Sequence, residues 1–92
     1  MLEKPKFSLG RTVATPAAIQ FIQEHGVDHN RIMTRHHFGD WGDVCEEDRR
    51  QNEWALKHGE RLMSVYNFDA GAVWIITERD RSATTILLPE DY

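Results

Sequence analysis

The stretch that decides the fold is Leu62-Met63-Ser64-Val65-Tyr66-Asn67-Phe68, followed by Asp69-Ala70-Gly71 and then Ala72-Val73-Trp74-Ile75-Ile76-Thr77. In the first segment Leu62, Ser64, Tyr66 and Phe68 alternate against Met63, Val65 and Asn67, a period of two that only a strand uses. Asp69-Ala70-Gly71 reads as a turn, and Ala72 to Thr77 is β-branched and aromatic. A charged turn from Glu78 to Ser82 leads into a third strand, Ala83 to Leu88. Connections this short imply a three-stranded antiparallel meander between residues 61 and 88. Val73, Ile75, Ile86 and Leu88 are the expected core. Trp74 and Ile76 fall on the opposite face of the middle strand, which is therefore expected to be central, with helices over at least one side.

Upstream the period changes to that of helices. Thr15-Pro16 is a helix start, because threonine caps and proline at the first helical position forfeits only an orphan N–H. The helix should run from Pro16 to His25, with Ala18, Ile19 and Ile22 on one face and Gly26 as a left-handed stop. Asp28 caps a second helix through about His37, which sets Ile32 beside His36 and Met33 beside His37. Asp43 followed by Glu46 has the form of a capping box and opens a third helix from Val44 to His58, ended by Gly59. Its least charged stripe is Cys45, Asn52, Ala55 and Leu56; the rest is polar enough to face solvent or a partner. Residues 7–14 read as a short strand or extended arm, and residues 1–6 as a flexible lead. The expectation is one α+β domain over residues 1–92: arm, about three helices between 15 and 59, then the meander.

Composition bounds the partners. Ninety-two residues make one domain with a modest core, which leaves dimerisation open. Eleven basic against fifteen acidic residues give a net charge of −4, with the basic residues scattered. That does not favour duplex binding, which draws on a basic stripe, and it is too weakly acidic for a DNA mimic. Protonating all five histidines would reverse the sign of the charge. The single cysteine excludes an intrachain disulfide and a four-cysteine zinc site. No apolar run is long enough for a membrane span and no signal-peptide segment follows the N-terminal charges, so a soluble, cytoplasmic chain is expected.

Four places could carry chemistry. His36, His37, Asp40 and Asp43 are proper zinc or iron ligands, and a neutral histidine among them could act as a base. The spacing matches no ligand pattern, however, and histidines in a last helical turn also serve the helix dipole. Gly39-Asp40-Trp41-Gly42 specifies a tight turn, with Trp41 either an exposed interface anchor or a lid on the core. The polar helix offers Asp48, Asn52 and Glu53 for ligand contact, against solvated charges and a hydrogen-bonded core asparagine. Arg79 and Arg81, with nearby hydroxyls, could hold a phosphate or a carboxylate, or pair within their own turn. Acidic neighbours Glu46, Glu47 and Asp48 oppose a Cys45 thiolate, and neither a phosphate-binding glycine loop nor a nucleophile elbow is present.

Several blocks together resemble a known family. They are Phe7-Ser8-Leu9-Gly10, Val13-Ala14-Thr15-Pro16, Gly39-Asp40-Trp41-Gly42-Asp43, Cys45-Glu46-Glu47-Asp48, Asn52-Glu53, Ile75-Ile76-Thr77-Glu78, and Arg81-Ser82-Ala83-Thr84-Thr85-Ile86-Leu87-Leu88-Pro89-Glu90. In this order they are similar to small bacterial proteins, often encoded on plasmids and integrative elements, labelled "plasmid-related protein". Some members are labelled type I restriction modification M subunits. A methyltransferase needs an Asn/Asp-Pro-Pro-aromatic loop, whereas the prolines here are the separated Pro5, Pro16 and Pro89, and the chain is too short for a Rossmann domain. The resemblance brings no assigned activity, catalytic residue or cofactor. It implies a non-enzymatic accessory or interaction protein of mobile elements, serving their maintenance or evasion of host defence through a protein partner. Read from the residues alone, the expected contact surface is Asp40, Trp41, Asp43, Asp48, Asn52 and Glu53, a segment that joins a large aromatic to many polar groups and few core-facing aliphatics. The rival readings are a metal-assisted hydrolase or nuclease built on the histidine–carboxylate group, and a nucleic-acid-binding module using Arg79 and Arg81.

Overall fold

A computed structural model describes residues 3–92. The chain runs β1 (Arg11–Ala14), α1 (Pro16–His25), α2 (His29–His37), α3 (Glu46–His58), β2 (Leu62–Phe68), β3 (Gly71–Thr77) and β4 (Ala83–Leu87), with a 3-10 turn at Pro89–Asp91. The local signals act as read. Thr15 Oγ1 accepts the Ala18 N–H, Asp28 Oδ1 accepts the Arg31 N–H, and Gly26 and Gly59 close α1 and α3 in left-handed conformation. The start of α3 differs: Cys45 is the N-cap, without a side-chain bond, and the helix begins at Glu46 rather than Val44. Asp43 does not cap it because its carboxylate accepts the Asn67 N–H from β2, at 2.8 Å.

The sheet corrects the expected meander. It has four strands in the order β1-β4-β3-β2; β2–β3 and β3–β4 are antiparallel, while β1 lies parallel to β4 with Arg11 opposite Ala83 and Ala14 opposite Ile86. The amino-terminal arm is thus a strand for residues 11–14 only. Gly10 makes the join possible: its φ is 63°, and a Cβ there would run into the Arg81–Ser82 backbone. Of the six residues expected to be flexible, Met1 and Leu2 lie outside the described residues, and the Lys6 N–H donates to the His37 carbonyl.

All three helices pack on one face of the sheet. Ala18, Val27 and Ile32 meet Tyr66, Val73, Ile75, Ile86 and Leu88, and a second cluster joins Trp41, Ala55 and Leu62, with Phe7, Val44 and Leu56 against it. Burying these side chains is the main favourable term for a domain of this size. The other face presents Met63, Val65, Trp74, Ile76 and Leu87, with Tyr92 edge-on to Trp74 at 5.5 Å.

The candidate site and its hydrogen-bond wiring

α2 carries Ile32 and His36 on its buried stripe, and His36 is 0% exposed. Its Nδ1 lies 2.5 Å from Ser64 Oγ and its Nε2 lies 2.8 Å from Thr77 Oγ1. Thr77 Oγ1 is 2.8 Å from Thr84 Oγ1, whose hydroxyl donates to the Leu9 carbonyl at 2.7 Å. A carbonyl can only accept, so the proton direction follows along the whole chain. Thr84 donates to Leu9, Thr77 donates to Thr84 and His36 donates from Nε2 to Thr77, which places a proton on Nε2. With the ring neutral, this is the Nε2–H tautomer and Nδ1 accepts from Ser64. Burial, then the nearby charges of His37 and Arg81, push its pKa down to about 3. Phe7 and Trp41 close the ring in edge-on contacts at 5.2 Å and 5.7 Å. One imidazole thus ties α2 to β2 and β3, and through the threonines to the segment before β1.

The histidine–carboxylate group does not converge. His36 is internal with both nitrogens engaged, whereas His37 lies against Phe7 and Phe38. Asp40 accepts two hydrogen bonds from the Arg35 guanidinium, at 2.8 Å and 3.3 Å, and one from the Gly42 N–H. The Arg35 contact holds its carboxyl below the ordinary aspartate value. Asp43 is committed to Asn67. Among the described residues no three His, Cys, Asp or Glu side chains are placed to hold a metal ion.

Trp41 is 4% exposed, and its Nε1–H donates to Glu53 Oε2 at 2.8 Å. The exposed-anchor reading is corrected: the indole belongs to the second core cluster, stacked near Phe7 at 6.1 Å. The turn around it docks on β2, since Val65 donates its N–H to the Trp41 carbonyl and accepts from the Asp43 N–H. Gly42, at φ 73°, allows that approach, because a Cβ would meet the Val65 carbonyl. The Tyr66 hydroxyl donates to the Asp40 carbonyl at 2.8 Å, and burial raises its pKa.

Asn52, 4% exposed, faces the same edge strand: its Nδ2 donates to the Met63 carbonyl at 2.7 Å and its Oδ1 accepts the Met63 N–H at 3.1 Å. The amide imitates a neighbouring strand, so Asn52 secures the sheet edge. Asp48, one turn back, and the adjacent Gln51 line a cleft of about 160 Å³ with Asn52, Arg61, Met63 and Tyr92. Trp54, which the helical spacing places towards a flank of the inward stripe and which was not among the expected contact residues, is 47% exposed and stacks on His58 at 4.3 Å. The signal was present: Trp54 falls two residues beyond Asn52, off the inward stripe.

The two arginines have separate fates. Arg79 is exposed beside Glu60 at 3.8 Å. The Arg81 guanidinium donates to the carbonyls of Glu60, Glu78 and Ala55 and lies 5.8 Å from the Phe7 ring centre. Its Nη1 and Nη2 groups are bonded to the end of α3 and to its own turn, which agrees with the reading in which Arg81 pairs within the fold rather than with an anion. Cys45 is exposed. No helix of the described residues is long and apolar enough to cross a membrane. No family model, curated protein or solved structure matches the chain.

Proposed function

We propose that the chain is a non-enzymatic accessory protein of mobile genetic elements that acts by holding a protein partner, in element maintenance or evasion of host defence. The observation that carries the binding role is Trp54, a large aromatic half in water on a helix that is otherwise polar outside its buried stripe. Interface energy concentrates in such aromatics when a partner desolvates them. The stack on His58 holds the indole in place, which lowers the ordering cost of docking. Gln51 lies one turn from Trp54 and also lines the cleft with Asp48 and Arg61, so anchor and polar contacts form one surface. The residues that could do acid–base or metal chemistry are instead engaged in holding the fold, which favours binding over catalysis. The mobile-element setting rests on the resemblance of the sequence blocks.

The test is affinity capture from a bacterial lysate with wild-type, Trp54→Ala and Arg79→Ala baits, reading protein and nucleic acid in the eluate. A protein retained by the wild type and by Arg79→Ala but lost by Trp54→Ala, with the variant's melting temperature unchanged, is the expected result. Equal retention by Trp54→Ala removes the anchor. Nucleic acid retained with steep salt dependence would favour the nucleic-acid reading instead.

A further inference from the structure

The two edges of the sheet are treated in opposite ways. On β2 the outward backbone groups are paired: Met63 with Asn52, Val65 with Trp41 and Asp43, and the Asn67 N–H with the Asp43 carboxylate. On β1, Arg11 and Thr15 donate their N–H groups inward to Ser82 and Ile86 of the β4 side. In a parallel ladder successive residues alternate, so Thr12 and Ala14 aim N–H and C=O away from the sheet. Among the described residues these groups meet no hydrogen-bond partner. A groove of about 290 Å³ lies between β1 and α2 on the helix-bearing face, lined by Thr12, Ala14, Asn30, Met33 and Ile86, and Arg11 and Thr12 of the strand are exposed. Val13 is 41% exposed. β1 has no proline, no lysine and no bulge; its protections against pairing are its four-residue length and the charge of Arg11.

From this we infer that β1 pairs antiparallel with β1 of a second copy of the chain, about a two-fold axis at Val13, to form a continuous eight-stranded sheet. The pattern is self-complementary. With Val13 on the axis, Thr12 of each copy exchanges both backbone bonds with Ala14 of the other, giving four inter-chain bonds, and the two exposed valines meet as a close non-hydrogen-bonded pair. Charge agrees with the register. Arg11 then stands opposite Thr15 of the other copy, whose hydroxyl is bonded to the Asp91 carboxylate at 2.7 Å. Arg11 has no ion-pair partner among the described residues, and the two-fold sets this cation near an anion twice. A foreign strand would satisfy the backbone but would not in general supply the matching carboxylates. The surface is separate from the Trp54 face of α3, so a dimer leaves that face free.

The experiment is light scattering and sedimentation of the full chain from about 10 μM to about 1 mM, with amide hydrogen exchange read at Thr12 and Ala14. The expected result is a mass that rises to twice that of the chain, with both amides becoming protected as it rises. Thr12→Pro removes an outward N–H but no bond within the sheet, and should loosen dimerisation on the order of tenfold to a hundredfold. Arg11→Glu should weaken it on the order of tenfold, less so in high salt. If Thr12→Pro fails to fold, Arg11→Glu and the exchange profile decide. A monomer at all concentrations overturns the inference, as does a dimer that neither variant weakens. Protection of Thr12 and Ala14 that appears only with an added extended peptide would assign the edge to another chain and overturn it equally.

Discussion

Acid should destabilise this protein through His36. The imidazole is buried and neutral, held near pKa 3, whereas an unfolded histidine titrates near 6.5. Between those values the unfolded chain binds a proton that the folded chain does not, so stability is full above about pH 6.5 and falls as pH drops toward 3. The linkage gives about 1.4 kcal/mol per pH unit within the window, or about 2.6 kcal/mol between roughly pH 7.5 and pH 4.5. That is a large part of the ~5–14 kcal/mol expected for a domain of this length. Asp40 and Asp91 are also stabilised as anions, by Arg35 and by the Leu88 N–H with the Thr15 hydroxyl respectively. Their pKa values are depressed, so their contribution disappears only below about pH 4 and leaves the higher window to histidine. Urea titrations at several pH values should show this slope, and His36→Gln should remove most of it while lowering stability at neutral pH. A stability flat from about pH 6.5 to about pH 4.5, or the same slope in His36→Gln, would refute the reasoning. Nitrogen chemical shifts of the ring give a second reading, since they should report the Nε2–H tautomer.

Three further outcomes follow from the same wiring. Asn52→Leu strands the Met63 N–H and C=O on the β2 edge and should cost about 2–4 kcal/mol, measured by urea unfolding. Arg81→Ala should cost about 1–3 kcal/mol, because the Glu60 carbonyl loses its donor and the Ala55 and Glu78 carbonyls each lose one of theirs; Arg81→Gly should recover part of this, since φ at this position is 61°. Trp41→Ala should cost about 3–5 kcal/mol by cavity formation, while Trp54→Ala should stay within about 1 kcal/mol, a contrast that a pair of thermal melts reads directly.

Much of the site was written locally. The Thr15 and Asp28 caps, the Gly26 and Gly59 stops, and the alternation through β2 and β3 each depend on residues a few positions apart. The Gly39–Gly42 turn was legible for the same reason. Trp41 was not settled, because an aromatic on a glycine-hinged turn looks alike whether it lids a core or waits for a partner. Its burial depends on β2 and Phe7 arriving from distant parts of the chain. Asp43 shows the same limit: its spacing to Glu46 fits a cap, but the Asn67 N–H of an edge strand competes for the carboxylate and wins. Arg81 read as either an anion contact or a charge paired within its own turn, because sequence shows its charge and not the carbonyls at the end of α3.

The sequence by itself determined the α+β class, the three helices and the β2–β3–β4 hairpins, because helical and strand periods, caps and tight turns are short-range physics. Tertiary structure decided that β1 joins the sheet parallel to β4, across about seventy residues of chain, since no local signal rewards such a pairing until the sheet exists. It also decided which polar groups are internal. His36, Asn52 and Arg81 read as candidates for chemistry or contact in the linear chain, and burial turned each into a structural tie, because a polar group removed from water must find its partners within the fold.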